Sequence, residues 1–383
     1  MSDEVAKGLE GVVVAESELS YIDGAAGKLL YRGYPIQELA ERASFEEVLY
    51  LLWEGDLPTR EELETFSTQI RSARSITPGA IDTLETLAEE GAHPMVALRT
   101  TVSELATSDP DHDADPRDLE ATRQMGRRIV AKLPTILAAY ERARQGEPIL
   151  EPNPDLGLAA NFLYMLTGAE PDPIGAETFD QAMILHADHG LNASTFTAMV
   201  IASTLSDIYG SVTGGISALS GPLHGGANQD VMEMLIEIDE TGIDPIEWVT
   251  QARDNGHRVP GFGHRVYDVK DPRAQILERR SQELAEVGES KWYEYTATIE
   301  EYLSDELGLG EQGIAPNVDF YSGSVYYQLG IPTDLYTPIF AMSRAAGWVG
   351  HVLEYREDNR LIRPLSKYTG PKSATFVPLE ERE

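Results

Sequence analysis

Two histidines, an aspartate and an arginine sit in contexts suited to acid–base chemistry. In Ser220-Gly221-Pro222-Leu223-His224-Gly225-Gly226-Ala227-Asn228-Gln229 an imidazole lies among glycines, just ahead of an apolar-periodic segment over residues 231–238. Glycine lets the backbone turn sharply there and lets another molecule come close. The position predicts His224 near a helix N-terminus, where exposed N–H groups disfavour a positive imidazole and leave a neutral hydrogen-bond donor. A second imidazole stands in Val259-Pro260-Gly261-Phe262-Gly263-His264-Arg265-Val266-Tyr267, and Asp271-Pro272-Arg273 puts an arginine at the start of a helix. Ala315-Pro316-Asn317-Val318-Asp319 places a carboxylate in a first helical turn, where the dipole favours its ionised form. Each alone has a plainer reading, as a turn histidine, a capping aspartate or a surface arginine. Jointly, a carboxylate base and two neutral donors are what proton abstraction beside a carbonyl requires, the donors serving the developing enolate oxygen. Arginine adds two-point contact to a substrate carboxylate.

The elements that must position these groups read as helix after helix, an all-α class. Ser44-Phe45-Glu46-Glu47 and Thr59-Arg60-Glu61-Glu62 match capping boxes, and Pro78 and Pro94 fit first helical turns. Short strands are expected only near the N-terminus, over residues 11–15 and 20–24. A helix over residues 119–145 is expected to break or kink at Pro134. Another is expected to start with Thr337 as N-cap and Pro338 at its first position and to run to about residue 357, with an irregular C-terminus from Arg363-Pro364 onward. His186-Ala187-Asp188-His189 is expected to set two histidines on one helical face, as packing groups and not as a metal pair. Asp109 to Asp115 alternates acids in the manner of a calcium loop, but Ala114 stands where glycine is needed, so it reads as a solvated acidic loop.

Composition bounds the rest. At 383 residues two domains are a reasonable expectation. With no cysteine there is no disulfide framework and no thiolate nucleophile. No run of 18 apolar residues occurs, and Met1-Ser2-Asp3-Glu4 lacks a basic, then apolar, leader, so a cytoplasmic location is expected. Sixty-four acidic residues against 30 basic ones give a net charge of −34, which disfavours nucleic-acid and anionic-membrane partners. Only seven of the 30 bases are lysine, and the balance reads as adaptation to a salty cytoplasm, where a Debye length of about 3 Å at molar salt screens neighbouring carboxylates. Residues 190–229 hold a single formally charged residue, Asp207, where ordinary exposure would give about ten. Such a stretch is expected in a deep core that extends into a dimer interface.

The stretches Ser220 to Gln229, Gly261 to Arg273 and Pro316 to Gly323 resemble, in order and separation, the three active-site motifs of citrate synthase. Ser20-Tyr21-Ile22-Asp23-Gly24, Leu30-Tyr31-Arg32-Gly33-Tyr34 and Phe45-Glu46-Glu47-Val48 resemble the short prokaryotic and archaeal branch, and the match runs from about Gly8 to Lys372. The resemblance implies that His224 would hydrogen-bond the acetyl-CoA thioester oxygen and that Asp319 would take the methyl proton. His264 would polarise the oxaloacetate ketone, and citryl-CoA would be hydrolysed in the same site. His189, Arg273 and Arg344 match the family's oxaloacetate ligands, and Arg363 matches an arginine contributed by the other subunit of a homodimer. It further implies an all-helical fold with a large domain over 1–225 and 331–383, a small domain over 226–330 that closes over the substrates, and no cofactor or metal. Where the family carries a basic residue after Gly-His-x-Val-Tyr this chain has Asp268, leaving Arg265 and Lys270 as candidates for the CoA phosphates.

Three competing readings follow. A 2-methylcitrate synthase would use propionyl-CoA with the same motifs, since one methylene alters packing and not chemistry. A non-catalytic CoA- or carboxylate-binding protein would have no use for a base. A metal-dependent lyase would need a ligand triad that the sequence does not offer.

Overall fold

The computed structural model describes residues 5–382, so the expectation drawn from the first four residues lies outside the described residues. Three short antiparallel strands come first, β1 (Ser20–Asp23), β2 (Lys28–Tyr31) and β3 (Tyr34–Pro35), with Ser20 opposite Tyr31 and Tyr31 opposite Tyr34. Sixteen helices follow among the described residues. The first ten are α1 (Ile36–Arg42), α2 (Phe45–Glu54), α3 (Arg60–Ser72), α4 (Pro78–Glu89), α5 (Pro94–Leu105), α6 (Leu119–Gln145), α7 (Leu158–Thr167), α8 (Pro173–His186), α9 (Ala193–Ser203) and α10 (Ile208–Leu219). Then come α11 (Ala227–Thr241), α12 (Pro245–Asp254), α13 (Pro272–Val287), α14 (Lys291–Glu301), α15 (Val318–Gln328) and α16 (Tyr336–Glu357). The all-α expectation holds, and no described helix is long and apolar enough to cross a membrane.

Local signals place many boundaries. Ser44 and Glu47 close a reciprocal capping box on α2, and Thr59 and Glu62 do the same on α3. Pro78 and Pro94 take the first turns of α4 and α5. The core gathers around α16, of which 18 of 22 residues are buried against α2, α5, α6, α8, α9 and α10. α9 and α10 pack on α16 and on one another with an uncharged inner face, while Thr197, Val200, Ile201 and Thr213 keep partial exposure on the other side. α11 to α15 pack chiefly among themselves, with α13 reaching α1 and α8 and α11 reaching α16.

Several expectations are corrected. Residues 11–15 form no strand; residues 12–15 run along the rim of a cavity, with Val12, Val13 and Val14 exposed. Pro134 does not break α6, which runs through it over Leu119–Gln145, 27 residues in all, because burial of residues 133–140 outweighs a local penalty of about 3 kcal/mol. Thr337 caps nothing: a 3₁₀ turn, Thr333–Leu335, feeds directly into α16 one residue earlier. α8 ends at His186, so His186 and His189 do not share a helical face. The acidic loop is not fully solvated either. Asp109 is buried, held by Arg128 Nε and Nη2 at 2.7 Å each and by the Tyr209 hydroxyl at 2.6 Å. Over residues 358–382 the chain is irregular and largely exposed, apart from one 3₁₀ turn at Leu379–Glu381.

Candidate active site

Seven of the singled-out residues line one cavity of about 940 Å³, Arg265 at its rim and six others: His189, His224, His264, Arg273, Asp319 and Arg344. They come from six separate places. His189 follows α8, His224 lies in the turn between α10 and α11, and His264 lies in the loop between α12 and α13. Arg273, Asp319 and Arg344 stand on α13, α15 and α16.

His224 is fixed from behind by a residue that sequence reasoning missed. The Ser194 backbone N–H donates to His224 Nε2 at 3.2 Å, with Ser194 Oγ 2.8 Å from the same nitrogen. With the ring proton on Nδ1, Nε2 accepts the Ser194 N–H and Nδ1–H is left free to donate; with it on Nε2, the ring donates to Ser194 Oγ instead. Ser194 is itself held by Asn192 and by the Trp348 indole, which donates to its Oγ at 3.2 Å. Burial, aided by the charge of Arg344, lowers the pKa of His224 to about 4. The imidazole is neutral, as its position before α11 predicts, although burial is the largest cause.

His264 shows the complementary arrangement. The backbone N–H groups of Val266 and Tyr267 donate to its Nδ1 at 3.0 and 3.2 Å, which places the ring proton on Nε2. Burial and Arg273 lower its pKa to about 4. Its loop is laced to the start of α15. Asn317 N–H donates to Gly261 O at 2.9 Å, Asn317 Nδ2 to Gly263 O at 2.9 Å, and Gly263 N–H to Ala315 O at 2.9 Å. Gly261 has φ +76°, and a Cβ there would come within 2.8 Å of Phe320, so only glycine suits this close approach. Asn317 also caps Asp319 N–H at 2.9 Å, so one side chain ties the second and third motifs together.

Asp319 sits in the first turn of α15 and opens onto the cavity. The helix dipole favours the ionised carboxylate, yet the pKa is raised to about 6. Burial is the main cause, with Asp271 and Asp230 adding to it and Arg273 and Arg344 opposing. A carboxylate so poised is a better base for a carbon acid than a solvated one.

The two guanidiniums are set differently. Arg273 is gripped by Asp271, which sequence reasoning also missed, through Nε to Oδ1 at 3.0 Å and Nη2 to Oδ2 at 2.8 Å. Arg344 donates through Nε to His186 O at 2.7 Å and stays cationic at neutral pH although burial lowers its pKa to about 10. His189 lies with its ring centroid 5.3 Å from that of His264 and its Nε2 3.2 Å from the Tyr267 hydroxyl. Burial, then Arg273 and Arg344, hold His189 well below the usual histidine range. His186 does not line the cavity. It is buried, with Nδ1 2.6 Å from Ala182 O, and burial lowers its pKa to about 3. The cavity therefore offers two fixed cations, neutral donors and one base, inside a chain of net charge −34.

The remaining candidates are placed elsewhere or at the rim. Arg265 is exposed and lines the cavity. Lys270 does not; it is held between Glu278 and Glu300, 2.7 and 2.5 Å away. Arg363 lies in the exposed C-terminal stretch and does not line this chain's cavity. Among the described residues, no group of three or more His, Cys, Asp or Glu could hold a metal ion.

Residues 8–365 match the family model described as citrate synthase, C-terminal domain. A citrate synthase from Haloferax volcanii is 58% identical over 100% of both chains. A 2-methylcitrate synthase from Corynebacterium glutamicum is 42% identical, again over 100% of both. The crystal structure of a citrate synthase from Pyrobaculum aerophilum is 42% identical and superposes with a TM-score of 0.92 over 99% of this chain and 95% of that one. That of the Thermoplasma acidophilum enzyme, a ternary complex with carboxymethyl coenzyme A and oxaloacetate, is 33% identical with a TM-score of 0.91 over 100% of both.

Proposed function

This chain belongs to the citrate synthase family, a family of acyltransferases, and on that premise we propose that it condenses acetyl-CoA with oxaloacetate and hydrolyses the resulting citryl-CoA to citrate and CoA. The observation that carries this reading is the single cavity in which a carboxyl of pKa about 6 meets two neutral imidazoles, His224 and a His264 whose ring proton is set on Nε2. Asp319 takes a proton from the acetyl methyl while His224 Nδ1–H donates to the thioester oxygen, giving the enol. The enol carbon then attacks the oxaloacetate ketone, and His264 passes its Nε2 proton to the forming alkoxide. Each such donor is worth roughly 10²–10³ in kcat when it is pre-set for the developing charge. Arg273, Arg344 and His189 hold the oxaloacetate carboxylates, and water then cleaves the thioester. No cofactor enters this scheme, because the acyl donor is itself a substrate.

In this reading residues 226–330 form the smaller, mobile domain, and their packing chiefly among themselves supports it. The half-exposed, uncharged face of α9 and α10 forms a homodimer interface, and Arg363 completes the partner's site from the exposed C-terminal stretch. Arg265 at the rim meets the CoA phosphates, whereas Lys270 is already engaged by two carboxylates. A cytoplasmic location belongs to the same proposal, and the lack of a membrane-spanning helix among the described residues is compatible with it.

Because Asp319 must be ionised to accept a proton, kcat/KM for acetyl-CoA is expected to fall below pH 6, about tenfold per pH unit. His224 and His264, at about 4, stay neutral through that window. A profile flat from pH 7 to pH 5 contradicts the assignment.

The donor separates this activity from that of 2-methylcitrate synthase. Acetyl-CoA is expected to be preferred over propionyl-CoA by about 10- to 200-fold in kcat/KM, the range one methylene commands in a fitted pocket. The higher identity to the Haloferax volcanii citrate synthase supports that choice. A ratio favouring propionyl-CoA reverses the substrate and leaves the residue roles in place.

A further inference from the structure

One face of α16 grips the turn that carries His189 at three successive points, and only the first of them belongs to the chemistry above. Arg344 Nε donates to His186 O at 2.7 Å, Gly347 N–H to Ala187 O at 2.9 Å, and His351 Nε2 lies 3.1 Å from Asp188 Oδ1. Positions 344, 347 and 351 share a helical face, so the contacts follow the turn residue by residue. Gly347 makes this approach possible, since a Cβ there would lie 2.3 Å from Asp188 Oδ1. Asp188 and His351 are buried, at 0% and 2% exposure, and neither lines the cavity.

The other carboxylate oxygen faces the N-terminal sheet. Ser20 Oγ–H on β1 donates to Asp188 Oδ2 at 2.6 Å, and Gly190 N–H reaches the same oxygen at 3.1 Å. Tyr31 on β2 clasps the backbone, accepting from Asp188 N–H at 3.2 Å and lying 2.9 Å from Asp188 O. Burial pushes the Asp188 carboxyl up, but His351, Arg344 and Ser20 outweigh it and hold the group below its ordinary value. A buried, ionised carboxylate with every oxygen engaged resists displacement. Its neighbour in sequence is His189.

We propose that Asp188 and His351 are positioning residues that set His189 from behind and register it against Arg344, so that the two oxaloacetate ligands keep one spacing. The inference rests on the functional reading above, in which His189 and Arg344 bind oxaloacetate. Neither Asp188 nor His351 touches substrate; each acts through the turn.

The test is steady-state kinetics on the full-length chain at high salt, with His351→Leu, His351→Gln and Ser20→Ala beside the wild type. Leucine keeps the volume and removes the donor to Asp188, whereas glutamine can restore an N–H near the position of Nε2. His351→Leu is expected to raise the oxaloacetate KM by about 10- to 100-fold, the scale of a hydrogen bond to a charged group. The acetyl-CoA KM and kcat should stay close to wild type, His351→Gln should recover most of the loss, and Ser20→Ala should shift the oxaloacetate KM the same way by less. Equal rises in both KM values, or a lower Tm with the oxaloacetate KM unchanged, overturn the proposal, as does a glutamine variant no better than leucine. Should His351→Leu fail to fold, an unchanged oxaloacetate KM in Ser20→Ala overturns it. A wild type with no oxaloacetate-dependent activity strikes instead at the functional reading, so the two failures are distinguishable.

Discussion

Asp319→Asn is expected to yield a folded protein that binds both substrates and turns over roughly a thousandfold or more slowly, the upper range for loss of a positioned general base. The same change should leave Tm at neutral pH unchanged or higher. In the folded chain the pKa of Asp319 is raised to about 6, above the ~3.9 of an unfolded aspartate. The raised value stabilises the fold at low pH, where the carboxyl is protonated, and that contribution is lost as pH rises through about 6. At pH 7 the ionised carboxylate therefore opposes folding, by at most about 2–3 kcal/mol for a group open to a cavity. Asparagine carries no such charge, so any Tm advantage of the variant should vanish when melts are repeated near pH 4. Turnover within about tenfold of wild type removes Asp319 as the base, and a collapsed Tm shows that it holds the fold together instead.

The second large effect concerns salt. With 64 acidic residues against 30 basic ones, exposed faces such as that of α3, with Glu61, Glu62 and Glu64, carry dense like charge. At about 2 M KCl the Debye length is under 3 Å and these carboxylates scarcely interact, whereas at about 10 mM it is near 30 Å and the whole surface repels itself. Dialysis from the first condition to the second is expected to abolish the far-UV helical signal and the activity together. Full activity after prolonged dialysis contradicts it. The reading of the composition as salt adaptation agrees with the close relative from Haloferax volcanii.

What the sequence disclosed depended on how local the cause was. Capping boxes at Ser44 and Thr59 and prolines at α4 and α5 act within four residues, and they stand where expected. The two histidine motifs were legible because side chains presented on tight turns need glycines beside them, and they meet Asp319 in one cavity. Pro134 does not break its helix because burial of a long helix outweighs a local penalty. The apolar run at residues 11–15 misled because a run of valines has strand character wherever it lies, and here no neighbouring strand pairs with it. His186 and His189 were wrongly placed on one helical face because the helix ends where Tyr31 and Ser20, more than 150 residues away, begin to supply the hydrogen bonds. Ser194 touches His224, and Asn317 the loop that carries His264, through tertiary contacts, and no spacing in the chain announces such contacts. Lys270 looked available for phosphate because Glu278 and Glu300 reach it only in the folded chain.

The central claim is that this cavity makes a carbon–carbon bond from an acyl-CoA and oxaloacetate. Release of free CoA thiol from acetyl-CoA, followed at about 2 M KCl with and without oxaloacetate, tests it most directly, since surface charge is almost fully screened there. The account predicts rapid release that requires oxaloacetate. No release from acetyl-CoA or propionyl-CoA with oxaloacetate present, in protein that is folded by circular dichroism, contradicts it and leaves a cavity that binds without turning over.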